Sequence, residues 1–162
     1  MKKKAELGTY LEPKPKVVVS CRGADGRNNA LVVAYCSNCS YDPPMVMVGV
    51  VPSRYSYGLI KETGCFVVNL PGKDFMKEYE VIGSKSGRDM DKFAELGLKF
   101  KDGDAVAAPV LLDCPVNIEC TVVDSIMTGS HEMFVGKVEK VHANEQYLNE
   151  ENKIDFTNID LI

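Results

Sequence analysis

Side chains that could bind a phosphate closely follow one of the apolar segments of this 162-residue chain. Ser53, Arg54 and Ser56 come just after Met45–Val51, and helical periodicity begins at Tyr55. A guanidinium group is a fork of N–H donors, hydroxyl groups add further hydrogen bonds, and a helix N-terminus favours an anion. The same residues also suit a surface arginine at the start of a helix. The loop therefore predicts either a phosphate site or an ordinary helix start.

Cys36 and Cys39 form a Cys-x-x-Cys pair, which raises the question of a zinc site or a redox disulfide. Structural zinc takes four ligands, and the chain offers no second such pair and only two histidines, His131 and His142. In an extended segment, positions 36 and 39 point to opposite faces and would not readily bridge. The six cysteines lie mostly in strand-like segments of a chain that can form a core. They predict free thiols in a reducing compartment, and no metal site.

Three further residues could present charge or hydrogen bonds to a ligand. Lys92 precedes an apolar helix face and equally suits a solvated helix charge. Arg88 could contact a phosphate or pair with Asp89 or Asp91, and His131, which opens a long strand-like run, also suits a polar turn. No Gly-x-Gly-x-x-Gly, Walker or Gly-x-Ser-x-Gly motif occurs, which excludes a Rossmann dinucleotide site and a nucleophile elbow.

The elements that must position these residues are mainly β-strands. Valine-rich runs bounded by Gly, Pro, Asn or Asp predict four strands, and two longer runs alternate as half-buried strands do. The predicted strands are Val17–Cys21, Ala30–Cys36, Met45–Val51, Cys65–Asn69, Val116–Met127 and Glu132–His142. The predicted helices are Tyr55–Glu62, Lys73–Val81 and Arg88–Gly97, the last capped at Gly97.

The connections between these elements complete the predicted architecture. Asp25-Gly26 predicts a hairpin turn, whereas 38–44 and 83–87 predict polar loops. We expect one domain over 1–162, a mainly β fold with a six- or seven-stranded antiparallel barrel and helices on one side.

Composition narrows the class of protein and its partners. A net charge of −4 and a pI near 5.2 argue against binding nucleic acid or an anionic membrane. The longest apolar run, Met45–Val51, is far shorter than the roughly 18 residues of a membrane helix. Lys2-Lys3-Lys4 is not followed by the apolar stretch of a signal peptide. We therefore expect a cytoplasmic protein.

Six motifs in one order give the chain a family resemblance. They are Asp25-Gly-Arg-Asn-Asn-Ala, Ser40-Tyr-Asp-Pro-Pro-Met-Val, Arg54-Tyr-Ser-Tyr, Phe66-Val-Val-Asn-Leu, Ser86-Gly-Arg-Asp-Met-Asp-Lys-Phe and His131-Glu-Met-Phe-Val-Gly-Lys-Val. Together they resemble the flavin reductase-like family, the FMN-binding split barrels that include flavoredoxins and archaeal ferric reductases. The match runs from about Pro15 to about His142. In that family a further segment follows the last long strand, and we expect it to be short or missing here.

The resemblance implies a set of flavin-binding residues. The phosphate of FMN would bind Ser53, Arg54 and Ser56, with Asn29 helping to hold the phosphate or the ribityl chain. The isoalloxazine and ribityl groups would lie along a strand end that comprises Tyr35, Cys36, Ser37, Asn38 and Cys39. Lys92 would approach the ring, Arg88 would contact the flavin or a cosubstrate phosphate, and His131 would contact the ring or a nicotinamide.

The resemblance also implies a function. We expect an FMN-containing oxidoreductase that accepts hydride from NADH or NADPH and passes electrons to free flavin, ferric iron or a partner protein. The alternatives are an electron carrier of the flavoredoxin type, reduced by another protein, and a flavin-binding module without turnover. Members of this family dimerise, so a homodimer is expected.

Overall fold

An antiparallel sheet of seven strands is the framework of the chain, as a computed structural model of residues 1–162 shows. Its strands are β1 (Val17–Arg22), β2 (Asn28–Val33), β3 (Cys36–Tyr41), β4 (Pro44–Val50), β5 (Cys65–Leu70), β8 (Val116–Met127) and β9 (Glu132–Ala143). The order across the sheet is β2-β1-β5-β8-β9-β4-β3. The short strands β6 (Phe100–Asp102) and β7 (Pro109–Leu111) form a separate pair.

The sheet curves around an apolar core but does not close by hydrogen bonds, since its two edges, β2 and β3, are not paired with each other. Valines of β1, β4 and β5 fill the core together with Phe66 and Phe134. A Cβ at Gly136 would lie 2.5 Å from the ring of Phe66, so the glycine of β9 makes room for that ring. The expected mainly β fold, an antiparallel split barrel of six or seven strands, is confirmed, and the open sheet has seven strands.

Three helices lie outside the sheet: α1 (Tyr55–Thr63), α2 (Met76–Ser84) and α3 (Lys92–Leu96). α1 connects β4 to β5 and ends where Gly64 adopts a left-handed conformation. α2 and α3 pack on β2 through a second apolar cluster that includes Ile82 and Phe93. None of these helices is long and apolar enough to span a membrane.

Two predictions about strands were wrong. Ala30–Cys36 is not one strand, because β2 ends at Val33 and β3 begins at Cys36. Between them the carbonyl of Tyr35 accepts a hydrogen bond from Gly49 N–H, which ties the turn to β4. The polar stretch predicted as a loop forms most of β3, an edge strand whose side chains mostly face solvent, so its Ser and Asn residues need no buried partners.

The helix predictions were correct in position but not in length. The predicted helix Arg88–Gly97 begins only at Lys92, because the Asp91 carboxylate accepts the N–H groups of Phe93 and Ala94 and thereby caps it. α2 continues through Gly83, which shortens the loop predicted at 83–87. β6 and β7 were not predicted, since three residues each are too few to show a period.

The prediction of free thiols agrees with the structure. All six cysteines are free. Cys39 is exposed at the irregularity of register in β3, whereas Cys36 packs partly against the core. Burial raises the pKa of the Cys36 thiol to about 11, which makes it a poor nucleophile at neutral pH.

Candidate functional site

A cavity of about 480 Å³ lies beside the ends of β2 and β4, the start of α1 and the segment between α2 and α3. Its volume is within the range of sites that hold small molecules or cofactors. Seven of the residues proposed from the sequence line this cavity: Asn29, Ser53, Arg54, Ser56, Arg88, Lys92 and His131. They come from four separate stretches of the chain, so the fold assembles the site.

The start of α1 forms one end of the cavity and presents free hydrogen-bond donors. Arg54 is the N-cap residue of α1, and its side chain has no hydrogen bond or ion pair. The backbone N–H of Ser53 also has no acceptor, and the first N–H groups of a helix have none within it. Ser56 is 1% exposed, and its Oγ accepts a hydrogen bond of 2.7 Å from the side-chain amide of Asn29. The amide thus fixes the hydroxyl at the cavity wall.

Two arginines stack on one tyrosine beside this helix start. The guanidinium carbons of Arg27 and Arg88 lie 5.2 and 5.8 Å from the ring centroid of Tyr55. Arg27 Nη2 donates to the Gly87 carbonyl at 2.6 Å, and Arg88 Nη1 donates to the Ser53 carbonyl at 2.9 Å. Sequence reasoning assigned Arg27 no role, although it belongs to the hairpin motif after Gly26.

Gly87 lets the segment between α2 and α3 approach the wall closely. A Cβ at this position would lie 2.5 Å from Asn29 Oδ1 and 2.6 Å from Tyr55 Cδ1. Distances this short do not occur for real Cβ atoms, so any side chain would displace one of these neighbours. The glycine therefore holds Arg88, its neighbour in sequence, against the start of α1.

Lys92 is buried at the cavity wall and is 3% exposed. Its Nζ donates to the carbonyls of Ala30 and Ile82 at 2.7 and 2.8 Å, which links β2 to α2 and leaves one N–H without a protein acceptor. Burial lowers the pKa of Lys92 to about 8, and the charge of Arg54 acts in the same direction. The alternative of a solvated helix charge is therefore wrong.

A different kind of wall lies where β2 ends. Leu31, Val32 and Val33 line the cavity with apolar side chains, and Ala34 follows them. The backbone N–H groups of Ala34 and Tyr35 have no acceptor within the protein. An apolar wall edged by free N–H donors suits a flat ring that carries carbonyl oxygens on its rim.

His131 and Tyr35 meet at the border of the cavity. Their ring centroids are 4.8 Å apart at an interplanar angle of 69°, and His131 Nδ1 is 2.8 Å from Ser130 Oγ. His131 lines the cavity, whereas Tyr35 does not line it and lies beside it, next to His131 and to Gly49 of the lining. The remaining predicted ring contacts, Cys36, Ser37, Asn38 and Cys39, lie in β3 and do not line it. Their role in binding a flavin stays a prediction.

Glu132, which directly follows His131, anchors the start of β9, and sequence reasoning gave it no role. Its carboxylate accepts hydrogen bonds from Ser125 Oγ at 2.6 Å, from Tyr57 Oη at 2.5 Å and from Lys61 Nζ at 3.0 Å. These bonds lower the pKa of Glu132 to about 2. The ionised carboxylate therefore joins α1, β8 and β9 beside the cavity.

The charge of the cavity is strongly positive in a chain whose net charge is negative. Four cationic side chains line it, Arg54, Lys85, Arg88 and Lys92, against one carboxylate, Asp89. None of these four cations forms an ion pair with a carboxylate, although ten ion pairs occur elsewhere in the chain. An unpaired cationic cavity with hydroxyl and N–H donors is suited to an anionic ligand such as a phosphate.

Comparison with known proteins gives relatives of similar fold and sequence. The chain is 34% identical over 110 residues to an uncharacterized protein of Archaeoglobus fulgidus, which covers 68% of this chain and 62% of that protein. It is 28% identical over 122 residues to an NADH:riboflavin 5′-phosphate oxidoreductase of Streptomyces pristinaespiralis, a match that covers 75% of this chain and 66% of that protein. The chain thus spans about two thirds or less of the length of these two relatives.

Solved structures agree with the sequence relatives. The flavoredoxin of Desulfovibrio vulgaris (Miyazaki F) superposes with a TM-score of 0.89 at 30% identity, over 96% of this chain and 84% of that one. These similarities support a flavoprotein of the oxidoreductase and electron-transfer kind. The model of the flavin reductase like domain matches residues 9–158, so the chain belongs to the flavin reductase like family.

Proposed function

We propose that the cavity binds FMN and that the protein is an FMN-dependent oxidoreductase that accepts electrons from NADH or NADPH. The observation that carries this proposal is the start of α1, where Arg54, unpaired and exposed, stands beside the free N–H of Ser53 and the buried hydroxyl of Ser56. A phosphate group would satisfy all three donors at once.

The residues present fit FMN at both ends of the cavity. The start of α1 matches the phosphate, whereas the apolar side chains of Leu31 and Val32 match a flat ring system. The free N–H groups of Ala34 and Tyr35 match the carbonyl oxygens at the rim of that ring. Riboflavin would leave the phosphate donors unsatisfied, so the donor set favours FMN over the unphosphorylated flavin.

Each part of the site has a distinct task in this proposal. Bound FMN would supply reversible uptake of electrons, the chemistry that side chains lack. Arg54 and Ser56 hold the phosphate, and the N–H groups of Ala34 and Tyr35 orient the ring and favour negative charge on it. Lys92 places a positive charge at the cavity wall, where burial strengthens its interaction with any negative charge that electron uptake creates. No residue need act as a general base.

The source of the electrons separates two functions. The reductase reading is supported by the relative named NADH:riboflavin 5′-phosphate oxidoreductase, and free flavin, ferric iron or a partner protein would then take the electrons. The carrier reading is supported by the similarity to flavoredoxin, and a reducing protein partner would then replace the nicotinamide. Both readings require the same FMN site.

An anaerobic visible spectrum of the FMN-loaded protein distinguishes the two functions. We expect the flavin bands to bleach within seconds after addition of NADH or NADPH. Bleaching by dithionite but by neither nicotinamide would overturn the reductase and favour the carrier. Failure to retain FMN after gel filtration would overturn both.

We also propose that the protein is a homodimer through the free end of β8. Up to Val122 this strand bonds to β5 or to Gly64 just before it, whereas its remaining residues pair only with β9. In that part Val123, Ile126 and Met127 are 50, 60 and 52% exposed. A projecting hairpin with several exposed apolar side chains is suited to burial against a second copy of the chain.

A further inference from the structure

More positive charge surrounds the cavity than a single phosphate requires. In the proposed function Arg54 and the start of α1 bind the FMN phosphate, and Lys92 lies deeper in the wall. Arg27, Lys85 and Arg88 remain, and none of them pairs with a carboxylate. A phosphate monoester carries a charge of about −1.5 to −2 at neutral pH, which leaves this second group of cations unbalanced.

The two arginines of this group are held in place rather than free in solvent. Arg27 is fixed by the carbonyl of Gly87 and Arg88 by the carbonyl of Ser53, and both contact the ring of Tyr55. Each bond uses one N–H group of a guanidinium that has five. Two like charges fixed on one ring repel each other, and an anion that bridges them would remove that cost.

Two members of the second group lie at the mouth of the same cavity, whereas Arg27 does not line it and adjoins it through Gly87 and Tyr55. Lys85 and Arg88 line it, and both are exposed, whereas Lys92 and Ser56 are buried in its wall. Asp89 is the only carboxylate of the lining, so it cannot neutralise the group by itself. The rest of the chain is acidic overall, which makes this a local feature and not part of a general basic surface.

We infer that Arg27, Lys85 and Arg88 form a second phosphate subsite, which binds the phosphate monoester of the molecule that exchanges electrons with the bound flavin. The inference rests on the proposed function, since it assumes that the first phosphate site is filled by FMN. Two molecules could supply the second phosphate: a nicotinamide dinucleotide with a 2′-phosphate, or a second FMN that acts as electron acceptor. The subsite thus favours NADPH over NADH, or substrate FMN over riboflavin.

Binding to the FMN-loaded protein tests this without depending on turnover. Protein with one equivalent of FMN is titrated calorimetrically with NADP⁺, NAD⁺, further FMN and riboflavin at low ionic strength. We expect the phosphorylated member of at least one pair to bind about tenfold or more tightly, as one charge-assisted contact implies. The pair that shows the preference identifies the source of the phosphate.

Single substitutions test whether Lys85 and Arg88 cause the preference for the phosphorylated ligand. Lys85→Gln and Arg88→Gln should each reduce the preference about fivefold or more. The control Lys77→Gln removes an exposed charge from α2, the helix that ends just before Lys85, at a position that does not line the cavity, and should keep the preference. Equal affinity within both pairs, or a preference that both variants retain, would overturn the second subsite while the FMN site stands. Failure to bind the first FMN would instead overturn the proposed function.

Discussion

Arg54 and Lys92 each place a positive charge at the cavity, but they differ in burial and in hydrogen bonding. Arg54 is exposed and its side chain has no partner, so all N–H donors of its guanidinium are available to a ligand. Lys92 is buried and already bonded to two carbonyls, so it presents one remaining donor at a fixed position. At the residue scale the site thus combines an open contact for an anion with a rigid charge in the wall.

We predict that Arg54→Ala weakens FMN binding by about 1.5–3 kcal/mol, the typical worth of a hydrogen bond to a charged group. Riboflavin, which has no phosphate, should bind the variant and the wild type alike. Flavin fluorescence titrations measure both affinities, and Lys77→Ala serves as the control for loss of a surface charge. An unchanged FMN affinity would remove Arg54 from the phosphate site.

We predict that FMN affinity depends on pH because Lys92 lies at the cavity wall. Its pKa is about 8 in the free protein because burial disfavours the charged form, and a nearby anion raises it again. FMN therefore binds the protonated lysine preferentially, so affinity is full below pH 8 and falls as the pH rises above 8. The expected loss is about tenfold for each pKa unit by which the ligand raises Lys92.

Titrations between about pH 7 and 9.5 measure this dependence, with Lys92→Met as the variant that should abolish it. A wild-type affinity that stays constant over this range would show that no negative charge of FMN acts on Lys92.

Residue types alone indicated the phosphate loop but not the full site. Ser53, Arg54 and Ser56 stand together in the sequence, so their chemistry could be predicted from local order. Lys92 and Arg27 could not be assigned in this way, because the burial of Lys92 under α2 and the contact of Arg27 with Gly87 join distant parts of the chain.

At the element scale, the segment between α2 and α3 closes one side of the cavity. Its position depends on Gly87, which allows close approach to Asn29 and Tyr55, and on the cap at Asp91, which delays the start of α3. Both helices were predicted from the sequence. The cap was not, because nothing in the sequence distinguishes the capping residue Asp91 from a surface carboxylate such as Asp89. The break between β2 and β3 was missed because it is set by a bond to β4, far along the chain.

We predict that Gly87→Ala lowers the free energy of unfolding by about 1–3 kcal/mol, as overpacking does, and weakens FMN binding. The matched control is Gly58→Ala within α1, where a Cβ would meet nothing within 4 Å. That control should raise stability by about 0.5–1 kcal/mol, since alanine is the better helix former. Urea unfolding compares the two, and a neutral Gly87→Ala would contradict the close contact.

The loop at residues 104–106 is held by a buried carboxylate. Glu119 on β8 is 0% exposed and accepts the N–H groups of Asp104, Ala105 and Val106, with His142 Nε2 at 2.5 Å from its Oε1. Burial alone raises the pKa of Glu119, but these hydrogen bonds, led by that of His142, outweigh burial and lower it. Its contribution to stability is therefore present above pH 4.5 and is lost as acid protonates it.

We predict that Glu119→Gln costs about 1–3 kcal/mol at pH 7, because the amide group cannot accept all of these bonds. The difference between variant and wild type should shrink as the pH falls from about 4.5, where the unfolded carboxyl takes up its proton, towards the lower pKa of the folded protein. Urea unfolding at pH 7 and 3.5 provides the comparison. A difference that is equal at both values would show that the charge of Glu119 is not what holds the loop.

For the whole molecule, alternation and the length of the apolar runs predicted a high strand content and the long strands β8 and β9. The observed seven-stranded antiparallel sheet agrees with these predictions. The order of the strands was not predicted, since alternation does not say which strands pair. The free end of β8 is exposed because no element of the same chain covers Ile126 and Met127.

We predict that the wild type has twice the mass of the 17.8 kDa chain in light scattering. Combined substitutions Ile126→Asp and Met127→Asp should give monomers, because two buried charges in an apolar interface are costly. Val141→Asp, at an exposed position near the far end of β9, is the control and should remain dimeric. A monomeric wild type would contradict the homodimer.

The most direct test of the FMN site is a parallel titration of the purified apoprotein with FMN and riboflavin, followed by flavin fluorescence. We predict one FMN per chain and an affinity for FMN at least about tenfold above that for riboflavin, because only FMN satisfies the donors at the start of α1. Equal affinity for the two flavins, or no binding of either, would contradict the assignment of this cavity as a phosphate-anchored flavin site.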